Sequence, residues 1–124
     1  LVTGVQTCAL PICMLRCIEV LVENGILDEA QLISNEALNL AIDCDDINHI
    51  EKSYYFKSAI LQKLGHYDKA DMYMNLSTDA LFKYANNQER YERYMEMGNM
   101  YYKMGDISEA IKYFTLAISL QKKI

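Results

Sequence analysis

Three short segments of this 124-residue chain align without a gap at a step of forty residues. They are Asn24-Gly25-Ile26-Leu27-Asp28-Glu29-Ala30, Leu64-Gly65-His66-Tyr67-Asp68-Lys69-Ala70 and Met104-Gly105-Asp106-Ile107-Ser108-Glu109-Ala110. A fixed period between 20 and 50 residues is the signature of a stacked repeat, because each unit buries its apolar face only against the next. The step also holds at apolar positions: Leu21, Leu61 and Tyr101 stand four before each glycine, and Leu27, Tyr67 and Ile107 two after it. Ala37, Ser77 and Ala117 come twelve after it.

Inside each unit the spacing is helical. Tyr94, Met97, Tyr101 and Met104 recur at three and four residues, as do Ala110, Tyr113, Phe114, Ala117 and Ile118. Each unit is therefore predicted to be two amphipathic helices. A glycine just past a helix adopts the left-handed conformation without a Cβ penalty, which suits Gly25, Gly65 and Gly105. Asp106 with Glu109 three residues on has the pattern of a capping box opening the next helix. Ala30, Ala70 and Ala110 sit on the first turn of the second helices, where a small side chain lets two helices approach. A larger residue there costs roughly 1 to 3 kcal/mol by overpacking.

Residues 1–12 differ from the rest: they carry no charge, hold the only proline, Pro11, and share no period with residues 13–124. Val2 to Ile12 resembles the in-frame translation of a common sequencing-adapter oligonucleotide. The segment is set apart as an expected artefact, and residues 13–124 as the repeat domain, with units of roughly 13–50, 51–90 and 91–124. Excluding Cys8 leaves Cys13, Cys17 and Cys44, an odd number with no secretory signal, which favours a reducing cytoplasm. Cys13 and Cys17, one helical turn apart, are predicted to be small buried hydrophobes. With 17 acidic against 12 basic residues and a net charge of −5, the chain lacks the basic balance of a nucleic-acid surface. No apolar run approaches the ~18 residues of a membrane span.

The pattern Tyr94-x-x-Met97-Gly98-x-x-Tyr101-x-x-x-Gly105-Asp106-x-x-x-Ala110-x-x-x-Phe114-x-x-Ala117 closely resembles the tetratricopeptide repeat. The middle unit, from Tyr54 to Ala80, matches with Ser58 in place of the first Gly and Met74 in place of Phe. The first unit has Met14, Ile18 and Ser34 in place of Tyr, Gly and Phe. The resemblance covers roughly residues 14–124. It implies an all-α, right-handed superhelical array of antiparallel helix pairs, with a first pair damaged where it enters the suspect segment. A forty-residue step exceeds the ~34 of this family and implies longer helices or longer linkers, the latter at Asp43 to Glu51 and Tyr84 to Arg90. The richness in Tyr, Asn, Lys and Ile, and the ending Tyr113-Phe114-Thr115-Leu116-Ala117-Ile118, also resemble the C-terminal sensor half of peptide-responsive helix-turn-helix transcriptional regulators of Gram-positive bacteria. That resemblance implies a DNA-binding domain ahead of the repeats, absent from these residues.

Motifs for chemistry are sparse. A calcium loop starting at Asp43 needs Gly and Glu where Asn48 and Tyr54 stand. His49 and His66 have no second ligand at metal or catalytic spacing and read as loop residues. Asn75-Leu76-Ser77 fits a glycosylation pattern but falls mid-helix. Glu89 and Arg93 form an i,i+4 pair on an ordinary charged face. No catalytic residues, metal site or cofactor are expected. Tyr54, Tyr67, Tyr94, Tyr101, Tyr113, Met74, Met97 and Met104 are predicted to pack between helices.

In a stack of such pairs the first helix of each unit lines the concave face. Its exposed side carries Lys52, Tyr55, Ala59, Gln62 and Lys63 in the middle unit, and Glu92, Met95, Asn99, Tyr102 and Lys103 forty residues on. An amide such as Asn99 donates to and accepts from a peptide backbone, tyrosines form rigid walls, and Lys63 and Lys103 meet carboxylates. The candidate peptide-binding residues are Lys52, Tyr55, Gln62, Lys63, Met95, Asn99, Tyr102 and Lys103. By resemblance to the regulators, Asn on this face holds ligand backbone; only Asn99 matches, with Ala59 and Glu19 in the equivalent places. The expected function is a cytoplasmic peptide- or protein-binding module, the sensor region of a regulator, with a generic interaction scaffold as the alternative. An exposed apolar patch around Leu15, Ile18, Leu21, Val22 and Ile33 is expected to mediate self-association. Direct nucleic-acid or membrane contact is not.

Overall fold

The computed structural model describes residues 3–124, with side chains described for residues 13–124, so the side chains of the uncharged segment 1–12 lie outside the described residues. The described residues form six α-helices and no strand: α1 (Thr3–Glu23), α2 (Leu27–Asp43), α3 (Ile47–Lys63), α4 (Tyr67–Leu81), α5 (Asn87–Met104) and α6 (Ile107–Gln121). The chain divides into two compact units, Leu1–Ala80 and Leu81–Ile124.

Long helices, rather than long linkers, account for most of the forty-residue step, since α2 to α6 run for 15 to 18 residues each. The glycines close them as anticipated. Gly25, Gly65 and Gly105 have φ of 73°, 81° and 85°. At the first, the amide of Gly25 donates to Val22 O (3.1 Å) and that of Ile26 to Leu21 O (2.9 Å), the double closure of a Schellman motif. The same pair of bonds recurs after α3 and α5.

A fourth copy of this turn has no glycine to announce it. Asp45 takes a φ of 52°, with Asp45 N donating to Ile42 O (3.0 Å) and Asp46 N to Ala41 O (3.0 Å). The anticipated linker at Asp43 to Glu51 is thus a tight turn, and the left-handed residues 25, 45 and 65 fall every twenty residues. The rhythm lapses near Ala85, whose amide closes on Leu81 O instead (2.9 Å). An L-residue in the left-handed region is strained by roughly 1 to 2 kcal/mol, less for Asp than for most. Asp45→Gly is expected to raise stability by about 1 kcal/mol in urea denaturation; a loss of stability would refute this account of the turn.

In the first unit, Leu15, Ile18 and Val22 of α1 meet Ala30 and Ala37 of α2 and Ile60 of α3, with Met14, Leu21, Leu27, Ile33 and Phe56 packed around them. This corrects one expectation: Leu15, Ile18, Leu21, Val22 and Ile33 are not an exposed patch but the core of this unit, and Ile18 is entirely enclosed. The cause is that α1 packs against both α2 and α3. Cys13 and Cys17 are exposed rather than buried, because the buried stripe of α1 runs through Leu15, Ile18 and Val22. The exposed apolar stripe lies on α6, where Ile107, Ile111 and Ile118 are about half exposed at four- and seven-residue spacing.

Polar bonds tie the second pair of helices together. The buried Ser58 hydroxyl donates to Ala70 O (2.7 Å), at the small residue where α4 begins its approach to α3. Ser77 on α4 reaches Glu51 on α3, within 3.0 Å of its carbonyl and 2.9 Å of its carboxyl. In the second unit, Asn86 and Glu89 form a complete capping box on α5. Asp106 makes only half of one: its side chain accepts from Glu109 N (3.2 Å), while its own amide is already committed to Tyr101 O (2.9 Å). Met97, Met100, Tyr101, Ala110 and Ala117 are buried, and Tyr101 stacks on Tyr113 with ring centroids 5.4 Å apart. Met74 is buried as anticipated, but Tyr67 is 37% exposed, since it opens α4 and its side chain leaves the helix at the rim.

Candidate functional site

α1 and α3 pack side by side in the first unit, and their polar sides diverge over a cavity of about 280 Å³. Leu15 and Phe56 give it an apolar lining; Arg16 and Glu19 from α1 and His49 and Lys52 from α3 give it a polar one. Lys52 is exposed, as is Glu19 one helix away. A concavity with an apolar floor and both signs of charge suits a peptide better than a small apolar ligand.

His49 is not the loop residue that its spacing implies but belongs to the first turn of α3, because the turn at Asp45 lets that helix begin at Ile47. Asp46 is the N-cap: its carboxylate accepts from His49 N (3.3 Å) and also bonds the His49 ring at Nδ1. Partial burial pulls the Asp46 pKa up, but hydrogen bonds from the side chain and backbone of His49, with the charge of the imidazole, outweigh it and leave the carboxyl below its ordinary 3.8. The folded state then binds fewer protons than the unfolded one, so this contribution is present above about pH 4 and is lost as pH falls through the folded pKa. Asp46→Asn keeps a capping side chain. The stability difference between wild type and Asp46→Asn is therefore expected to shrink as pH falls below about 4 in urea melts, and a pH-independent difference would contradict the pairing.

Tyr55, another anticipated residue of α3, is half-buried, its ring edge-on to Phe56 at 5.7 Å. Gln62 is half-buried and donates to the Ser58 hydroxyl (3.2 Å), so its amide supports α3 and has less freedom to meet a ligand. Lys63 is exposed at the last turn. In the second unit, Asn99, Tyr102 and Lys103 are exposed along one side of α5, with Tyr102 at 64%, and Met95 is half-buried. These residues form a continuous amide, aromatic and basic strip on α5 alone.

Lys52 is thus the one anticipated residue that lines the cavity. Leu15, Arg16, Glu19, His49 and Phe56 join it without having been anticipated as a set. For two of them a signal is present: Leu15 and Glu19 stand forty residues before Tyr55 and Ala59, so extending the repeat into α1 names them.

Among the described residues no group of three or more His, Cys, Asp or Glu comes together to hold a metal ion. None of their helices is long and apolar enough to cross a membrane. Models of the tetratricopeptide repeat match residues 51–80 and 91–123, the segments carrying the second and third helix pairs. The crystal structure of the tetratricopeptide-repeat domain of Arabidopsis FLU superposes with a TM-score of 0.80 over 95% of this chain and 99% of that one, at 21% identity. That likeness is one of fold: an all-α array of helix pairs. No curated protein matches the sequence.

Proposed function

We propose that this tetratricopeptide-repeat chain is a protein-interaction module that holds an extended segment of a partner protein on the exposed sides of its first helices. The observation that carries the reading is the cavity between α1 and α3, where Lys52, anticipated from the repeat alone, stands with Arg16, Glu19 and His49 around an apolar floor. Apolar anchors of a peptide fill the floor, and the rim charges fix its direction and register. The strip of Asn99, Tyr102 and Lys103 on α5 is a second peptide-contacting face. The finer reading, a cytoplasmic sensor region of a bacterial transcriptional regulator answering to a peptide, rests on the resemblance of its ending and composition to such regulators.

Selection from a random peptide display library tests the module, with isothermal titration of the chosen peptides as the readout. Selected peptides are expected to lose about tenfold in affinity with Lys52→Glu and with Asn99→Ala, while helical content is unchanged. Peptides that bind both variants as well as wild type would remove these faces from the proposal. The regulator reading is tested by sequencing the source locus across the codons for Leu1 to Met14: an open frame for a DNA-binding domain joined near Cys13 supports it, and genomic coding of Val2 to Ile12 counts against both it and the adapter explanation.

A further inference from the structure

A second cavity of about 250 Å³ opens on another side of α3, lined by Gln31 and Asn35 of α2, Lys57 and Leu61 of α3, and Lys69 and Tyr73 of α4. We propose that it is a binding site for an anionic group, a carboxylate or a phosphate, held by Lys57 and Lys69 with Gln31, Asn35 and Tyr73 around them. This does not depend on the peptide reading, which uses different residues of α3.

The lining is the first argument. In a chain carrying 17 acidic and 12 basic residues, two lysines and two amides meet here, and no carboxylate is among the lining residues. The second argument is Lys57 itself. The residue is half-buried, and its ammonium lies over the Tyr73 ring at 5.1 Å from the centroid and donates to Asn35 Oδ1. Tyr73 in turn is held by stacking on Tyr54 at 5.9 Å, so the ring beneath the ammonium is fixed. Neither Lys57 nor Lys69 is in an ion pair among the described residues. Burial lowers the Lys57 pKa, as expected for a cation partly stripped of solvent with no counter-charge.

Such an arrangement offers donors and positive charge to an anion. An ammonium has three donors, of which the Asn35 carbonyl takes one. With its Oδ1 turned to Lys57, the Asn35 amide retains NH₂ donors for an oxyanion, and the exposed Lys69 brings a second positive charge from α4. A bound anion restores to Lys57 the charge compensation that burial removed, which makes charge-assisted bonds here stronger than those of a fully solvated lysine.

The test is a titration of the full ¹⁵N-labelled chain with inorganic phosphate and, separately, with acetate, following the side-chain amide resonances of Asn35 and Gln31. Saturable shifts of both are expected, weakened about tenfold in Lys57→Met and retained in Lys57→Arg, which keeps the charge. Shifts with phosphate alone assign the site to phosphate-bearing ligands, shifts with acetate alone to carboxylates, and shifts with both to the shared chemistry. Linear, non-saturating shifts, or saturation unaltered in a folded Lys57→Met variant, would overturn the proposal. Because Lys52 and Asn99 lie outside this cavity, loss of peptide binding in their variants leaves the result unaffected.

Discussion

Replacing Gly98 by Ile is expected to destabilise the second unit by about 3 kcal/mol, and the further change Phe114→Ser is expected to make the double variant more stable than either single one. A Cβ at Gly98 would stand 2.5 Å from Phe114 Cε1, 2.6 Å from Cδ1 and 2.9 Å from Cζ, closer than real Cβ atoms come. The half-buried ring must then swing outward or push α5 and α6 apart, and either movement forfeits apolar burial. The other helix pairs show the remedy. Forty residues earlier the same two positions hold Ser58 and Met74, and eighty earlier Ile18 and Ser34, all four buried. Bulk has moved from the second helix to the first while the sum is roughly kept. Urea denaturation of the wild type, both single variants and the double variant measures the coupling. Additive losses would show that the three pairs are packed by unrelated means.

Ser77→Ala is expected to cost about 2 kcal/mol, whereas Ser119→Ala is expected to cost almost nothing. Both hydroxyls make hydrogen bonds, so the difference lies in what each leaves behind. Ser119 is exposed on α6 and donates to Thr115 O one turn away (3.1 Å), a carbonyl that water can serve equally well. Ser77 is wholly buried and bonds across helices to Glu51, itself 4% exposed. Alanine there removes one donor from a carboxyl group that is almost wholly buried, and water does not take its place as it does at Ser119. Thermal unfolding of both variants separates the cases; equal losses would mean that Glu51 is adequately held without Ser77.

Much of the fold is readable from the residues because glycine is a conformational statement. Three glycines at one step announce three left-handed turns, and three alanines five residues later announce three close approaches. Asp45 escapes notice because it makes the same turn with a residue whose presence demands nothing, so the halved period stays hidden and α3 begins earlier than the spacing implies. That one turn also conceals His49, which lines the cavity only because the helix begins at Ile47. Cys13 and Cys17 defy expectation for a different reason: a stripe on one helix is defined by its neighbours, and the packing of α1 on both α2 and α3 chose Leu15, Ile18 and Val22. The site near Lys57 is illegible from spacing alone, since it gathers residues from three helices whose register only the fold sets.

The twenty-residue rhythm of Gly25, Asp45 and Gly65 bears on how the first unit reaches its structure. Each helix there meets its successor after a turn of about three residues, so α1, α2 and α3 pack mainly on their neighbours in the chain, and only short loops have to close. Low contact order of this kind goes with rapid folding. During synthesis, α1 and α2 have each other as partners before α3 has left the ribosome, and α3 and α4 each find a finished surface to land on. This unit acquires its core in instalments from the N-terminal end, so little of its apolar surface is left open for long to aggregation.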